Sequence, residues 1–152
     1  MARLIGSGKA FLGTGWAFPP AFHAAAKTVV MVSAEEDIRQ SLRILLGTTP
    51  GERVMQPTYG CDLRRFVFEI INQSTLTDIK DVITRATLLF EPRIILDLIT
   101  IEEGGDHQPG QPYVPDGVLK VKLDYTVIST NTRSNMVYPL YLSQATSVGG
   151  RA

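Results

Sequence analysis

The chain has 152 residues, and its fifteen basic and fifteen acidic side chains cancel to a formal net charge of zero at pH 7. That length can bury one real hydrophobic core, while zero net charge excludes the broad positive field on which nonspecific nucleic-acid binding depends. A single cysteine excludes an internal disulfide, and no stretch reaches the roughly 18 apolar residues of a membrane span, so we expect a cytoplasmic protein that neither enters a membrane nor binds nucleic acid.

The first 27 residues combine glycines, prolines and aromatic side chains without helical or strand periodicity,. We therefore predict an extended N-terminal arm over residues 1–27. Trp16, Phe18 and Phe22 are too apolar for a solvated tail, so they either fold back onto the domain or anchor the arm on a partner.

A short β-branched run at residues 27–32 predicts a strand, and Ser33 with Glu36 predicts a capping box that starts the first helix. Apolar residues at helical spacing then predict a buried stripe that ends before Gly47: Ile38, Leu42, Leu45 and Leu46. Residues 47–60 are rich in glycine and proline but also apolar, which predicts an ordered loop that packs Val54, Met55 and Tyr59 on the domain.

After a short helical turn near residues 62–68, Thr75 with Asp78 predicts the cap of a second long helix. Pro92 ends that helix, because a proline pushes the preceding residue out of helical geometry. Its predicted apolar stripe is Ile79, Val82, Ile83, Ala86 and Phe90.

Beyond Pro92 the hydrophobic period changes to two, which indicates strands. The run at residues 94–101 is apolar on both sides and predicts a central strand; residues 103–117 predict a long loop, and residues 119–127 alternate cleanly. Residues 136–142 alternate again but contain Pro139, which predicts an edge strand.

These elements predict the α+β class: two main helices packed on a small antiparallel sheet, with an extended N-terminal arm and an exposed edge strand. The single domain is predicted over residues 28–145, and residues 146–152 form a predicted flexible tail.

Few side chains are arranged for chemistry. His23, Cys61 and His107 stand far apart, so we expect neither a metal site nor a cofactor. Cys61 is interpreted as a small buried thiol. The acidic run at residues 35–37 is interpreted as a helix start that favours negative charge.

The sharper catalytic alternative is a carboxylate pair, Glu91 and Asp97, acting as a lysozyme-like glycoside hydrolase. Such chemistry needs two carboxyl groups about 5–10 Å apart in a cleft. No aromatic platform for a sugar lies near them in the sequence, so we predict no catalytic residues.

Three segments carry a resemblance to a known family. The first segment is Glu36–Leu46, which is followed by Thr49-Pro50-Gly51-Glu52-Arg53. Arg53–Gly60 is similar to an Arg-x-Met-x-Pro-x-aromatic-Gly loop, and Glu91-Pro92-Arg93 to a Glu-Pro-Arg motif between a long helix and a sheet. In this order they resemble the baseplate wedge and sheath-initiator proteins of contractile phage tails, type VI secretion baseplates and extracellular contractile injection systems. Two departures are Gln56, where arginine is common, and Tyr59, where phenylalanine is common.

The resemblance implies a structural baseplate subunit, present in about six copies, whose partners are the sheath protein, other wedge proteins, and tube or hub proteins. It implies contact with the wedge core through Glu91, Pro92, Arg93, Arg53, Pro57, Tyr59 and Gly60. It also implies that sheath arms add strands to the last strand, at Met136, Val137, Tyr138, Leu140 and Tyr141. Whether Glu91 and Arg93 bind a partner or pair with each other stays open, as do the type of particle and the sheet edge that accepts the sheath.

Overall fold

The computed structural model of the chain describes residues 10–104 and 117–142. The first nine residues, most of the predicted long loop and the predicted tail lie outside them. Two short 3-10 turns are formed by Ala10–Leu12 and Arg64–Phe66. The strands and helices, in chain order, are β1 (Thr14–Trp16), β2 (Phe22–His23), β3 (Thr28–Val29), β4 (Met31–Ser33), α1 (Ala34–Gly47), α2 (Gln73–Phe90), β5 (Ile94–Glu103), β6 (Val118–Val127) and β7 (Thr132–Tyr141).

The three long strands form one antiparallel sheet in the order β5-β6-β7. The prediction that the strand after Pro92 is central was therefore wrong, because β6 occupies the middle and β5 is an edge. The edge position predicted for the proline-containing strand is confirmed. β6 and β7 keep one register from Val118 opposite Tyr141 to Val127 opposite Thr132, and β6 alternates regularly between buried and half-buried residues apart from its first two.

A bulge at Asp97 explains why β5 looked apolar on both faces. The pairing with β6 shifts between Leu96 and Leu98, which exchanges the faces on which odd and even residues lie. Ile94 and Ile99 therefore both face the core, whereas Ile95 and Leu98 are exposed. The predicted coverage of both faces was wrong, since within residues 10–104 and 117–142 the helices pack on one face of the sheet and Ile95 and Leu98 are exposed on the other.

The two helices supply that cover, and the α+β prediction is confirmed. Burial of a Leu or Ile side chain contributes about 1.5–3 kcal/mol to folding. The predicted stripe of α1 is buried in full, and in α2 Ile79, Ile83 and Ala86 are buried while Val82 and Phe90 pack at the margin of the core. No helix among the described residues is long and apolar enough to cross a bilayer.

The predicted N-cap position of Ser33 is confirmed, but its capping box does not form, and the predicted cap at Thr75 was wrong. Ser33 precedes α1 but its side chain makes no capping hydrogen bond, and Glu36 instead accepts hydrogen bonds from Arg39 and Gln40. The physical reason is the backbone of Ala34, whose φ of +58° departs from the geometry that a capping box needs. α2 begins earlier than expected, with the Asn72 side chain accepting from the backbone N–H of Thr75 at 2.9 Å.

The described part of the arm is folded as two short antiparallel ladders. β1 pairs with β4, which sets Trp16 opposite Met31, and β2 pairs with β3. Leu12 is buried in the domain core. The arm thus attaches to the domain through its main chain and Leu12, while the three predicted anchor residues remain at the surface.

Candidate partner-binding site

The junction between α2 and β5 carries a buried ion pair. Glu91, only 2% exposed, follows the last residue of α2, and its backbone N–H donates to the carbonyl of Thr87. The Arg93 side chain then turns back across Pro92. Its Nε donates to Glu91 Oε1 at 2.6 Å and its Nη2 to Oε2 at 2.8 Å, the two-pronged geometry that planar guanidinium and carboxylate groups favour.

Arg93 also reaches two other elements. Its Nη1 donates to Asp37 Oδ2 in α1 at 2.7 Å and to the carbonyl of Leu12 in the arm at 2.9 Å. The hydrogen bond to Glu91 raises the pKa of Arg93 further above its usual value, and Asp37 adds to this. One guanidinium therefore ties together the helix-to-sheet junction, the first helix and the N-terminal arm; we call these groups the Arg93 cluster.

Glycines let the arm approach this cluster. A side chain on Gly15 would collide with Asp37 Oδ1, and one on Gly13 would lie 3.5 Å from Arg93 Nη1. Gly13 also has a φ of +94°, a conformation that glycine adopts without steric cost,. The two glycines therefore fit a close approach of the arm backbone to Asp37 and Arg93.

The Arg53–Gly60 loop lies beside the junction. The Arg53 guanidinium stacks over the Tyr59 ring at 3.9 Å, and Tyr59 packs against Phe90 with ring centroids 5.1 Å apart. Burial raises the pKa of the Tyr59 hydroxyl, Arg53 lowers it, and the nearby Glu91 carboxylate raises it. Gly60, with a φ of +134°, leaves no room for a side chain against the backbone oxygen of Thr48.

The apex of this loop does not pack on the domain as predicted. Val54 is 94% exposed and Met55 is 91% exposed. The turn is held instead by backbone hydrogen bonds, from Gly51 to the Pro57 carbonyl and from Cys61 to the Thr48 carbonyl. Two apolar side chains therefore project from the apex of an ordered loop whose Tyr59 packs beside the junction.

The structure divides the residues predicted to contact the wedge core by exposure. Arg53, Pro57 and Pro92 are exposed, Tyr59 and Arg93 are partly buried, and Glu91 and Gly60 are buried. Asp37 belongs to the same cluster, and sequence reasoning missed its pairing with Arg93 because the two residues are 56 positions apart. Nothing in the local pattern around Asp37 distinguishes it from Glu35 and Glu36.

The predicted strand-addition residues divide between the two sides of β7, and only Val137 and Tyr141 direct their main-chain groups to its free side. The backbone N–H of Leu142 donates to the Gly117 carbonyl at 2.8 Å, and hydrogen-bonded and non-bonded pairs alternate along an antiparallel ladder. Even-numbered residues of β7 therefore bond to β6. Those whose main-chain groups point outward, away from β6, are Arg133, Asn135, Val137, Pro139 and Tyr141.

Within residues 10–104 and 117–142 no strand pairs with that outer side of β7. Pro139 falls in the outward set, so its missing N–H costs the β6–β7 ladder nothing. Met136, Tyr138 and Leu140 turn their side chains toward α1 and the core, while Val137 and Tyr141 expose theirs.

The arm presents its aromatic side chains outward. Trp16 and Phe22 are 63% and 67% exposed and meet edge to face, with ring centroids 6.3 Å apart. Phe18 is also exposed, and its backbone N–H donates to Gln40 Oε1 of α1 at 2.7 Å. The predicted anchor residues are thus accessible on a hairpin attached to the domain.

The catalytic alternative finds no support in the geometry of Glu91. Both of its carboxylate oxygens are bound by Arg93. Asp97 lies on the exposed sheet face, where it accepts from the Thr126 hydroxyl at 2.7 Å. The depression beside Asp97, about 370 Å³, includes Asp124 and Arg133 in its lining but not Glu91.

The described residues contain no group of His, Cys, Asp and Glu side chains that could hold a metal ion; His107 lies outside them. Cys61 is buried, and burial raises the pKa of its thiol to about 12. A thiol with that pKa stays protonated near neutrality and is a poor nucleophile.

Comparison with known proteins places this fold among the structural baseplate proteins of contractile tails. The family described as baseplate wedge protein gp25 matches residues 32–132, more than half of the chain, and the chain belongs to that family. No curated protein matches it.

Two solved structures are similar over most of the chain. One, a candidate tail lysozyme from Geobacter sulfurreducens, is 44% identical with a TM-score of 0.63, and the match covers 78% of this chain and 99% of that one. The other is a chain of the anti-feeding prophage baseplate, 29% identical with a TM-score of 0.61, covering 91% of this chain and 92% of that one.

Proposed function

We propose that this baseplate subunit starts sheath assembly by accepting an extended segment of a sheath protein as an additional strand on β7. The observation that carries the proposal is the outer side of β7, whose main-chain groups at Asn135, Val137 and Tyr141 have no strand partner in the described residues. Unpaired edge groups supply affinity in strand addition, and alternating side chains supply register. Membership of the baseplate wedge family supports the setting.

Val137→Pro tests this proposal, because it removes one outward N–H without touching the β6–β7 ladder. We expect particles with a complete baseplate and no sheath. The matched control is Val137→Thr, which changes the same side chain but keeps the N–H and leaves sheath length normal. Normal sheaths on Val137→Pro particles, seen by electron microscopy, contradict strand addition at this edge.

We propose attachment to other wedge proteins through the surface beside the Arg93 cluster. Glu91 is enclosed, so its role there is to hold Arg93. The groups that can touch a partner are Arg53, Pro57, Pro92 and the exposed Val54 and Met55. Arg93 uses four of the five N–H donors of its guanidinium internally,, which leaves one for a partner.

Met55→Asp tests the attachment without disturbing the fold, since the side chain makes almost no contact with the domain. Its expected result is loss of this subunit from purified baseplates, with unchanged thermal unfolding of the free protein. Thr58→Asp, an exposed position on the same loop with no apolar side chain, serves as the control. Normal stoichiometry of the Met55 variant in baseplates argues against this surface.

The exposed side chains of Trp16 and Phe22 are suited to anchor the arm on a tube or hub protein. In this proposal the particle carries about six copies of the subunit and is assembled in the bacterial cytoplasm.

Enzymatic activity is not part of this proposal, although the Geobacter sulfurreducens relative is named as a lysozyme, because Arg93 binds both carboxylate oxygens of Glu91. Clearing of a peptidoglycan suspension by the purified protein, abolished by Asp97→Asn, is the result that would restore the hydrolase alternative.

A further inference from the structure

Two depressions lie one after the other along β7, each lined by residues of that strand and of α1; together we call them the β7 groove. The depression near the β6–β7 turn has a volume of about 360 Å³. The one near the other end of β7 has a volume of about 210 Å³. A strand added to β7 would direct every second side chain into this groove, so the lining of its two ends decides which segments fit.

The end near the turn is basic. It is lined by Phe18, Glu36, Arg39, Gln40, Arg43, Asn135, Met136 and Val137. Glu36 is already bound by Arg39 at 3.2 Å and by Gln40 at 3.1 Å. Arg43 makes no ion pair with any residue in 10–104 or 117–142, and it therefore leaves one uncompensated positive charge facing the groove.

The other end combines apolar and polar lining and carries more aliphatic side chains than the end near the turn. Leu46, Leu63, Val67 and Leu140 contribute its hydrophobic lining, together with Cys61. Because the pKa of the Cys61 thiol is raised to about 12, that side chain stays uncharged near neutrality. The charged Arg64 lines the same cavity. Its guanidinium is already paired with the Glu52 carboxylate at 3.3 Å.

The spacing between the two ends matches a strand. Met136 lies at the basic end and Leu140 at the other end, and both turn their side chains inward. With a rise of about 3.3 Å per residue, they are about 13 Å apart. Two residues of an added strand that are four positions apart on the same face would therefore reach the two ends.

We propose that the β7 groove selects an extended segment of another protein chain that carries an acidic side chain opposite Met136 and an apolar side chain opposite Leu140. The inference rests on the strand addition proposed above and adds the chemistry of the accepted segment. Charge complementarity at Arg43 sets the preference at one end, and burial of apolar surface sets it at the other.

Synthetic peptides of alternating threonine and valine, blocked at both ends, test the selection. They differ only at two same-face positions four residues apart, which carry glutamate and leucine, lysine and leucine, or glutamate and asparagine. Binding to the full-length protein is followed by NMR, through the backbone amides of Val137 and Tyr141. We expect the glutamate–leucine peptide to bind about tenfold more tightly than either other peptide, a difference that corresponds to about 1.4 kcal/mol.

Arg43→Glu is expected to reverse the order of the glutamate–leucine and lysine–leucine peptides. Lys122→Glu, the same change of charge at a residue on the opposite face of the sheet, is the matched control and keeps the original order. Equal binding of all three peptides that still shifts the two amides overturns the selectivity and leaves strand addition intact. Absence of any shift at millimolar peptide overturns both.

Discussion

The Arg93 cluster and the outer edge of β7 differ in whether their polar groups have partners within the domain. At the cluster, a buried carboxylate, a guanidinium and a backbone carbonyl satisfy one another within the domain. At the edge, backbone donors and acceptors of the same chain have no strand partner in the described residues. The Glu-Pro-Arg motif therefore pairs within the domain and holds the arm, whereas the unpaired backbone edge lies on a strand that no short motif marks.

The largest expected effect comes from breaking the cluster. Arg93→Met leaves the Glu91 carboxylate buried without its partner, and loss of one member of a buried ion pair costs about 3–5 kcal/mol. The free energy of unfolding from urea titration measures it. Arg39→Met removes the exposed pair with Glu36 and is expected to cost less than about 1 kcal/mol. Equal losses in the two variants would mean that the cluster is not the element that stabilises this junction.

The arm offers a second readout of the same variant, because Trp16 is the only tryptophan. With the Leu12 carbonyl released from Arg93, we expect faster hydrogen exchange in the β1–β4 ladder and altered Trp16 fluorescence at denaturant concentrations where the core is still folded. Exchange in that ladder as slow as in the native protein would show that the arm is held by other contacts.

Met136 and Val137 are neighbours in β7 whose backbone N–H groups point in opposite directions. Met136 donates its N–H to β6, so Met136→Pro removes a ladder hydrogen bond and leaves its acceptor unpaired, which is expected to cost about 1–3 kcal/mol. Val137 directs its N–H outward, so Val137→Pro is expected to cost less than about 1 kcal/mol. Thermal unfolding of both variants measures the difference. A larger loss for Val137→Pro would show that its N–H has a partner within the chain.

The smallest effect concerns Cys61. The folded state raises the pKa of this thiol from 9.0 to about 12, so between these values the folded protein holds a proton that the unfolded chain has released. This contribution to stability is complete below pH 9, and it is lost as the pH rises toward 12. We expect the stability of the native protein to fall more steeply over that range than that of Cys61→Ala. Parallel curves would mean that the thiol titrates normally.

Much of the architecture could be predicted from periodic patterns. The stripes of α1 and α2 follow from apolar residues at helical spacing, and β6 from strict alternation, because burying one face is the main driving force for each element. The edge position of β7 follows from Pro139, whose missing N–H excludes a central place. The order of the sheet could not be predicted in the same way, since the bulge at Asp97 moves apolar residues between faces without any local signal.

The sequence by itself determined the class of the fold, the helix faces, the edge strand and the position of the Glu-Pro-Arg junction, since each depends on neighbours a few residues apart. Only the tertiary structure decided that Glu91 and Arg93 pair with each other and hold Asp37 and Leu12, and that Val54 and Met55 project from the loop. The physical reason is that charged side chains pair with residues far away in the sequence, so local patterns do not predict these pairs. The strength of each pair then depends on how deeply the fold buries it.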